Sequence, residues 1–197
     1  MSIKHPIISV TGSSGAGTST VKHTFQQIFR RESVKAVTLE GDAFHRYNRK
    51  EMKKELEKRH AAGDATFSHF SFDANLLPEL EDCFRNYSEQ GTCRYRHYIH
   101  NSNEENLYGA KQGNFTKWKK FEVPSDLLFY EGLHGAVANE EINLARYADL
   151  KIGVVPVINL EWIQKIHRDT DSRGYSTEAV TDTILRRMHA YVHCICP

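Results

Sequence analysis

Residues 6–22, PIISVTGSSGAGTSTVK, constrain the fold more than any other stretch. An apolar run, Ile7-Ile8-Ser9-Val10, reaches Thr11 and a glycine-rich turn, Gly12-Ser13-Ser14-Gly15-Ala16-Gly17. Thr18, Ser19 and Thr20 follow, and a segment of helical character runs from Val21 to Arg31. Buried strand, glycine turn and hydroxyl-rich helix start are the parts of a P-loop. Glycines let the backbone curl so that successive N–H groups point inward, and the helix N-terminus adds positive potential for an oligophosphate. Gly12, Ser13, Ser14, Gly15, Ala16, Gly17, Thr18, Ser19 and Thr20 are therefore the candidate ATP-binding residues. The spacing G-x-x-G-x-G excludes a dinucleotide turn, which needs G-x-G-x-x-G. With Gly12 first and Gly17 sixth, the frame fits G-x-x-x-x-G-[KT]-[ST], and Thr18 stands where a phosphate-binding lysine is usual. A flexible Gly/Ser loop without a ligand competes with this reading, but the flanking strand and helix disfavour it.

The segment Val34–Glu40 reads as a second strand, ending in Gly41-Asp42-Ala43-Phe44-His45. Strand, helix and strand form a right-handed βαβ unit with parallel strands. Both strands then end on the edge that carries the P-loop, where open α/β sheets bind ligands. A carboxylate there, Asp42, can take a proton from an attacking hydroxyl, or it can serve only as a turn former. His45 is delivered to the same edge. Arg49 lies one helical turn beyond it, at the head of a charged run from Tyr47 to Ala62 that otherwise reads as a solvated helix. A further helix is expected over Asp73–Tyr87. Cys93–His100 alternates as a strand whose Arg94, Arg96 and His100 either hold a substrate phosphate or form a solvated edge.

Leu127-Leu128-Phe129-Tyr130-Glu131-Gly132 reads as a buried central strand with an acid at its carboxyl end. That is the Walker-B position, where an acid helps to hold Mg²⁺ beside the phosphates. Ala148–Val157 is a further strand, expected beside it. Asn159 can cap the next helix, in which Leu160, Ile163 and Ile166 share an apolar arc. Glu161, Lys165, Arg168 and Asp169 lie opposite. They form either an exposed charged face or, leading into Asp171-Ser172-Arg173-Gly174-Tyr175, a basic lid over transferring phosphate. A final helix starts at Ser176 or Thr177, with Val180, Ile184, Leu185, Met188 and Val192 inward.

Composition narrows the class. The 197 residues suit one domain, 1–197, with a sizeable core; 40% hydrophobic and 26% charged content are ordinary for a globular protein. A formal net charge of +1 gives no reason to expect nucleic acid or an acidic membrane as partner. No apolar run approaches the ~20 residues of a membrane span, and the start MSIKHPIISV holds no signal peptide, so a cytoplasmic location is expected. Cys83, Cys93, Cys194 and Cys196 form no C-x-x-C pair and are expected as reduced thiols. His189 and His193 sit four apart, but Ala190 removes the glutamate of H-E-x-x-H. The apolar ending Cys194-Ile195-Cys196-Pro197, without a polar tail, reads as a chain cut short.

The runs ISVTGSSGAGTSTVK, EGDAFHRYNRK, FYEGLHG and VINLEWIQKIHRDTDSRGYS together resemble the bacterial phosphoribulokinases, over essentially the whole chain. Members are longer, so the chain resembles roughly the first two-thirds of one. The resemblance implies an α/β, three-layer P-loop kinase fold with a mostly parallel sheet, like the nucleoside-monophosphate kinases. It further implies transfer of the ATP γ-phosphoryl group, with Mg²⁺, to the 1-hydroxyl of D-ribulose 5-phosphate, the Calvin-cycle step that makes ribulose 1,5-bisphosphate. By position, Asp42 is implied as the base, Lys165 and Asp169 as further catalytic groups, and Ser19 with Glu131 at the metal. His45, Arg49, Tyr98, His100, Arg168 and Arg173 are implied in sugar-phosphate binding. Arg31 is implied in allosteric activation by NADH, and a homo-oligomer is implied for the full-length form. Thr in place of the P-loop lysine is a known form in that family. Ala16 and Gly41 stand at or beside the redox cysteines of thiol-regulated plant-type enzymes, so that control is not expected. A uridine-kinase-like small-molecule kinase and an inactive nucleotide-binding module are the alternatives.

Overall fold

The computed structural model describes residues 5–64, 66–121 and 124–194; the side chains of residues 172, 173 and 189–194, among them those of Arg173, His189 and His193, lie outside that description. The first strand, β1 (Ile7–Thr11), leads through the glycine turn into α1 (Thr18–Arg31), then β2 (Ala36–Glu40) and a 3₁₀ turn, Gly41–Phe44. The helices α2 (Arg49–Ala61) and α3 (Leu77–Gln90) follow, and then a polar excursion with β3 (Arg94–Tyr95), α4 (Ser102–Tyr108) and β4 (Lys119–Lys120). The chain returns through β5 (Leu127–Gly132) and β6 (Leu150–Gly153) to α5 (Ile158–Arg173) and α6 (Thr177–Cys194).

The sheet order is β2-β5-β1-β6, with all neighbours parallel. β1 and β2 run parallel, as expected, with β5 between them; one expectation changes, since β6 pairs with β1 rather than with β5. Alternation along the central strands feeds two layers. Ile7, Leu128 and Tyr130 face a cluster with Leu80, Phe84 and Tyr87 of α3. Val10 and Phe129 face Phe29 of α1, with Phe25 and Val21 beside it. Complete burial of a large apolar side chain contributes about 1.5–3 kcal/mol, so these two layers dominate the stability of the sheet.

Local signals set several boundaries. Asn48 and Glu51 close a capping box at the start of α2. Gly91, in the left-handed conformation, ends α3 and turns the chain back. That turn brings Cys83 and Cys93 together, with Cα atoms 4.9 Å apart, as a disulfide in place of the separate thiols expected. The strand expected over Cys93–His100 shrinks to Arg94–Tyr95, and the helix expected from Asp73 starts at Leu77 after a 3₁₀ turn, Phe72–Ala74. α5 begins at Ile158 behind Val157, so Asn159 lies inside the helix and does not cap it. In α6, Val180 and Ile184 are buried as expected, whereas Leu185 is exposed.

Candidate active site

The register puts Glu40 beside Glu131, and Glu131 beside Val10, at the carboxyl edge of the sheet. The turns that follow converge there. Gly12 N–H donates to the Gly132 carbonyl at 3.3 Å, and a Cβ on Gly41 would stand 2.9 Å from the Gly132 Cα. This approach of bare backbones brings the P-loop, the Asp42 turn and the end of β5 into one place.

Asp42 sits in that turn between two histidines. Its Oδ1 is 3.2 Å from His45 Nε2 and its Oδ2 is 3.5 Å from His100 Nε2. The other His45 nitrogen, Nδ1, is 2.8 Å from Asn75 Oδ1. The ring of Tyr98 stands edge-on to both histidines, 6.2 Å from His45 and 4.9 Å from His100. Arg49 opens α2 and donates to the His100 carbonyl at 3.3 Å, so it adjoins the same group. Burial would raise the Asp42 carboxyl, but His45, and beyond it His100 and His69, outweigh burial and hold it well below the usual carboxylate range. The Asp42 side chain is still 43% exposed, so its oxygens remain open to a substrate from the solvent side. Burial opposes a charge on His45, and Asp42 and Asn75 reverse that to push its pKa up.

At the other side of the edge, Thr18 donates its hydroxyl to Glu131 Oε1 at 2.5 Å. Lys22, one turn along α1, bonds Glu40 at 2.7 Å and approaches the second Glu131 oxygen at 3.5 Å. Ser19 is exposed on the first turn of α1.

α5 inverts the ordinary arrangement of an amphipathic helix. Glu161, Lys165 and Asp169 are buried, whereas Leu160 and Ile163 are exposed. The charged face lies on the P-loop: Ser13 donates its hydroxyl to Glu161, and Arg168 Nη2 reaches Ser14 Oγ at 3.2 Å. Lys165 Nζ and Arg168 Nε clasp Asp169 from two sides, at 3.0 Å and 2.9 Å. Burial pulls the Lys165 ammonium down to about 8, with Asp169 opposing the shift. A solvated charged face, one of the two readings open from sequence, is thus replaced by a buried one.

Three side chains that sequence reasoning passed over join these groups. Arg187 of α6 meets His69 Nδ1 at 3.1 Å, and the His69 ring is 5.6 Å from that of His45. Burial, with Arg187 and His45, drives His69 down to about 3, so it is neutral. Asn75 fixes the His45 ring. The stretch that carries His69 and Asn75 lacked a periodic or motif signal; the adjacency of Asn75 and His45 arises from an isolated antiparallel bridge. Arg31 is not part of the assembly, since it sits exposed at the far end of α1 and pairs with Glu32 at 2.8 Å.

The chain as a whole has counterparts among known proteins. A profile described as the phosphoribulokinase / uridine kinase family matches residues 7–197. The chain belongs to that family. Phosphoribulokinase 1 of Cereibacter sphaeroides is 72% identical over 197 residues, all of this chain and 68% of that protein. Phosphoribulokinase of Nitrobacter vulgaris is 63% identical over 194 residues, covering 98% and 67%. The solved phosphoribulokinase from Rhodobacter spheroides superposes with a TM-score of 0.84 at 70% identity, covering 98% of this chain and 66% of that one. The chain thus spans about two thirds of the length of the relatives it matches. Membership makes it an ATP-dependent phosphotransferase with the family's P-loop kinase fold. Among the described residues no helix is long and apolar enough to cross a membrane.

Proposed function

We propose that residues 1–197 form a P-loop kinase domain that phosphorylates the 1-hydroxyl of D-ribulose 5-phosphate from ATP, yielding ribulose 1,5-bisphosphate for carbon fixation. The observation that carries the reading is Asp42, held ionised between His45 and His100 beside the P-loop. The acceptor oxygen attacks the γ-phosphorus, its proton passes to an Asp42 oxygen, and the bond from the γ-phosphorus to the β–γ bridging oxygen breaks to release ADP. Most of the acceleration comes from positioning and charge.

His45, Arg49, Tyr98, His100, Arg168 and Arg173 hold the sugar phosphate in this scheme. The grouping of the first four around Asp42 supports that role. Lys165 offers positive charge to the transferring group, and Asp169 with Arg168 orients it. Residues 12–20 cradle the ATP phosphates, and cations on α5 compensate for the threonine at position 18.

Mg²⁺ fits the donors present: the Glu131 carboxylate and the hydroxyls of Thr18 and Ser19 are hard oxygens. Among the described residues there is no cluster of three or more His, Cys, Asp or Glu. Kinase Mg²⁺ uses one or two carboxylates plus phosphate oxygens, and Glu131 with Ser19 would hold it. When bound it neutralises charge on the transferring phosphates. A cytoplasmic location, NADH activation through Arg31 and a homo-oligomeric full-length form belong to the same proposal. The exposure of Arg31, away from the phosphate edge, supports a role outside the chemistry.

An assay coupling ADP release to ribulose 5-phosphate tests the reading, with uridine and unphosphorylated ribulose as controls. Asp42→Asn is expected to lower kcat by about 10²–10⁴-fold with little change in the KM for ATP. Equal turnover by Asp42→Asn and wild type would remove Asp42 as the base. Preference for an unphosphorylated acceptor would favour the uridine-kinase-like alternative.

A further inference from the structure

Arg96 lies in the polar excursion, half-buried rather than on a solvated edge. Its Nε donates to the Ala43 carbonyl and its Nη2 to the His45 carbonyl, each at 2.7 Å. Those two acceptors lie on the segment just after Asp42, which a 3.3 Å bond from His45 N–H to the Asp42 carbonyl closes into a turn. The guanidinium is also bounded by aromatic rings, with Cζ 3.7 Å from the Phe115 centroid and 4.6 Å from that of Trp118. Trp118 packs edge-on against Phe44 of the same turn, and Phe115 packs against Tyr98.

We propose that Arg96 is a positioning residue for the reaction, pinning the Asp42–His45 turn through its two backbone carbonyls and coupling that turn to the Tyr98–His100 segment. The inference rests on the reading of Asp42 as the base. The chemistry favours arginine specifically. A planar fork donates to two acceptors in one geometry while its faces stack on rings; a lysine ammonium is a point donor with no face to stack. Asp42 is half-exposed and sits on a short turn, so its placement depends on what holds the backbone behind it. Neighbouring Arg94 is exposed, with Cζ 5.7 Å from the Trp118 centroid, and serves as an internal control.

A double-mutant cycle in the full-length protein tests this, using kcat and both KM values for wild type, Arg96→Gln, Arg96→Lys, Asp42→Asn and Arg96→Gln/Asp42→Asn. Arg96→Gln is expected to lower kcat by about 10- to 100-fold, the scale of an ångström-sized misplacement, with the KM for ATP changed less than about twofold. Arg96→Lys should not restore it, and Arg94→Gln should match wild type. In the Asp42→Asn background, Arg96→Gln should lower the residual rate by less than about threefold, because the group it positions is already gone. A full Arg96 effect in that background, or recovery by lysine, would overturn the proposal. Wild-type turnover by Asp42→Asn would instead overturn the base assignment. Should Arg96→Gln not fold, Phe115→Leu removes one stacking face and is expected to show the same non-additivity at smaller amplitude; additivity with Asp42→Asn would count against the inference.

Discussion

Lys165 shows how one residue's environment sets a measurable property. Burial lowers its pKa to about 8, and Asp169 acts in the opposite direction by stabilising the ammonium. If the charged form serves transfer, kcat falls as pH rises through about 8, because the proton that supplies the charge is lost. Asp169→Asn removes the raising influence, so the basic limb of kcat is expected to move to lower pH. Lys165→Met should abolish that limb and lower kcat at every pH. A limb that stays in place in Asp169→Asn would assign it to another group. The residue identities here were legible in the sequence, but the burial that depresses Lys165 was not, because the P-loop that covers it is about 150 residues away in the chain.

At the scale of elements, α5 is decisive. Its periodicity predicts an inward apolar arc, and the helix instead turns Glu161, Lys165 and Asp169 inward and leaves Leu160 and Ile163 exposed. Periodicity reports a face but not which surface it meets; here hydroxyls and backbone of the P-loop accept the charged one. The contact is close, since a Cβ on Gly15 would lie 3.1 Å from Lys165 Cβ and 3.2 Å from the Glu161 carbonyl. Gly15 also has φ of 115°, outside the region side chains favour. Gly15→Ala is therefore expected to displace α5 and to lower stability by about 1–2 kcal/mol. The expected loss in kcat is about 10- to 100-fold. Urea unfolding and steady-state kinetics on one preparation separate the two effects, and an unchanged kcat would show that the α5 seat does not matter to transfer.

For the whole molecule, the two layers around the sheet position everything else. Phe129 stands on β5 against Phe25 and Phe29 of α1, with ring centroids 5.2 Å and 5.6 Å away. The same strand carries Glu131 two residues later, on the same face by alternation. Phe129→Ala is expected to cost about 3–5 kcal/mol by urea unfolding. A loss below about 1 kcal/mol would mean that this layer relaxes around the cavity. The four strands of the main sheet and the acid at the end of β5 were readable from apolar runs and their punctuation. Strand order was not. Insertion of β5 between β1 and β2 depends on pairing across roughly 90 residues, and no local pattern records it.

The P-loop, the acids Asp42 and Glu131 at strand ends and membership of a kinase family are legible in the chain's letters, because glycine spacing, apolar runs and terminal carboxylates are local features. Only folding placed β6 beside β1, turned the charged face of α5 inward, brought His69 and Arg187 to the Asp42 cluster, and set Arg96 on two backbone carbonyls. A side chain's charge is written in its own letter. Whether that charge meets water, a carbonyl or a counter-ion depends on residues remote in the chain that folding brings within hydrogen-bonding distance.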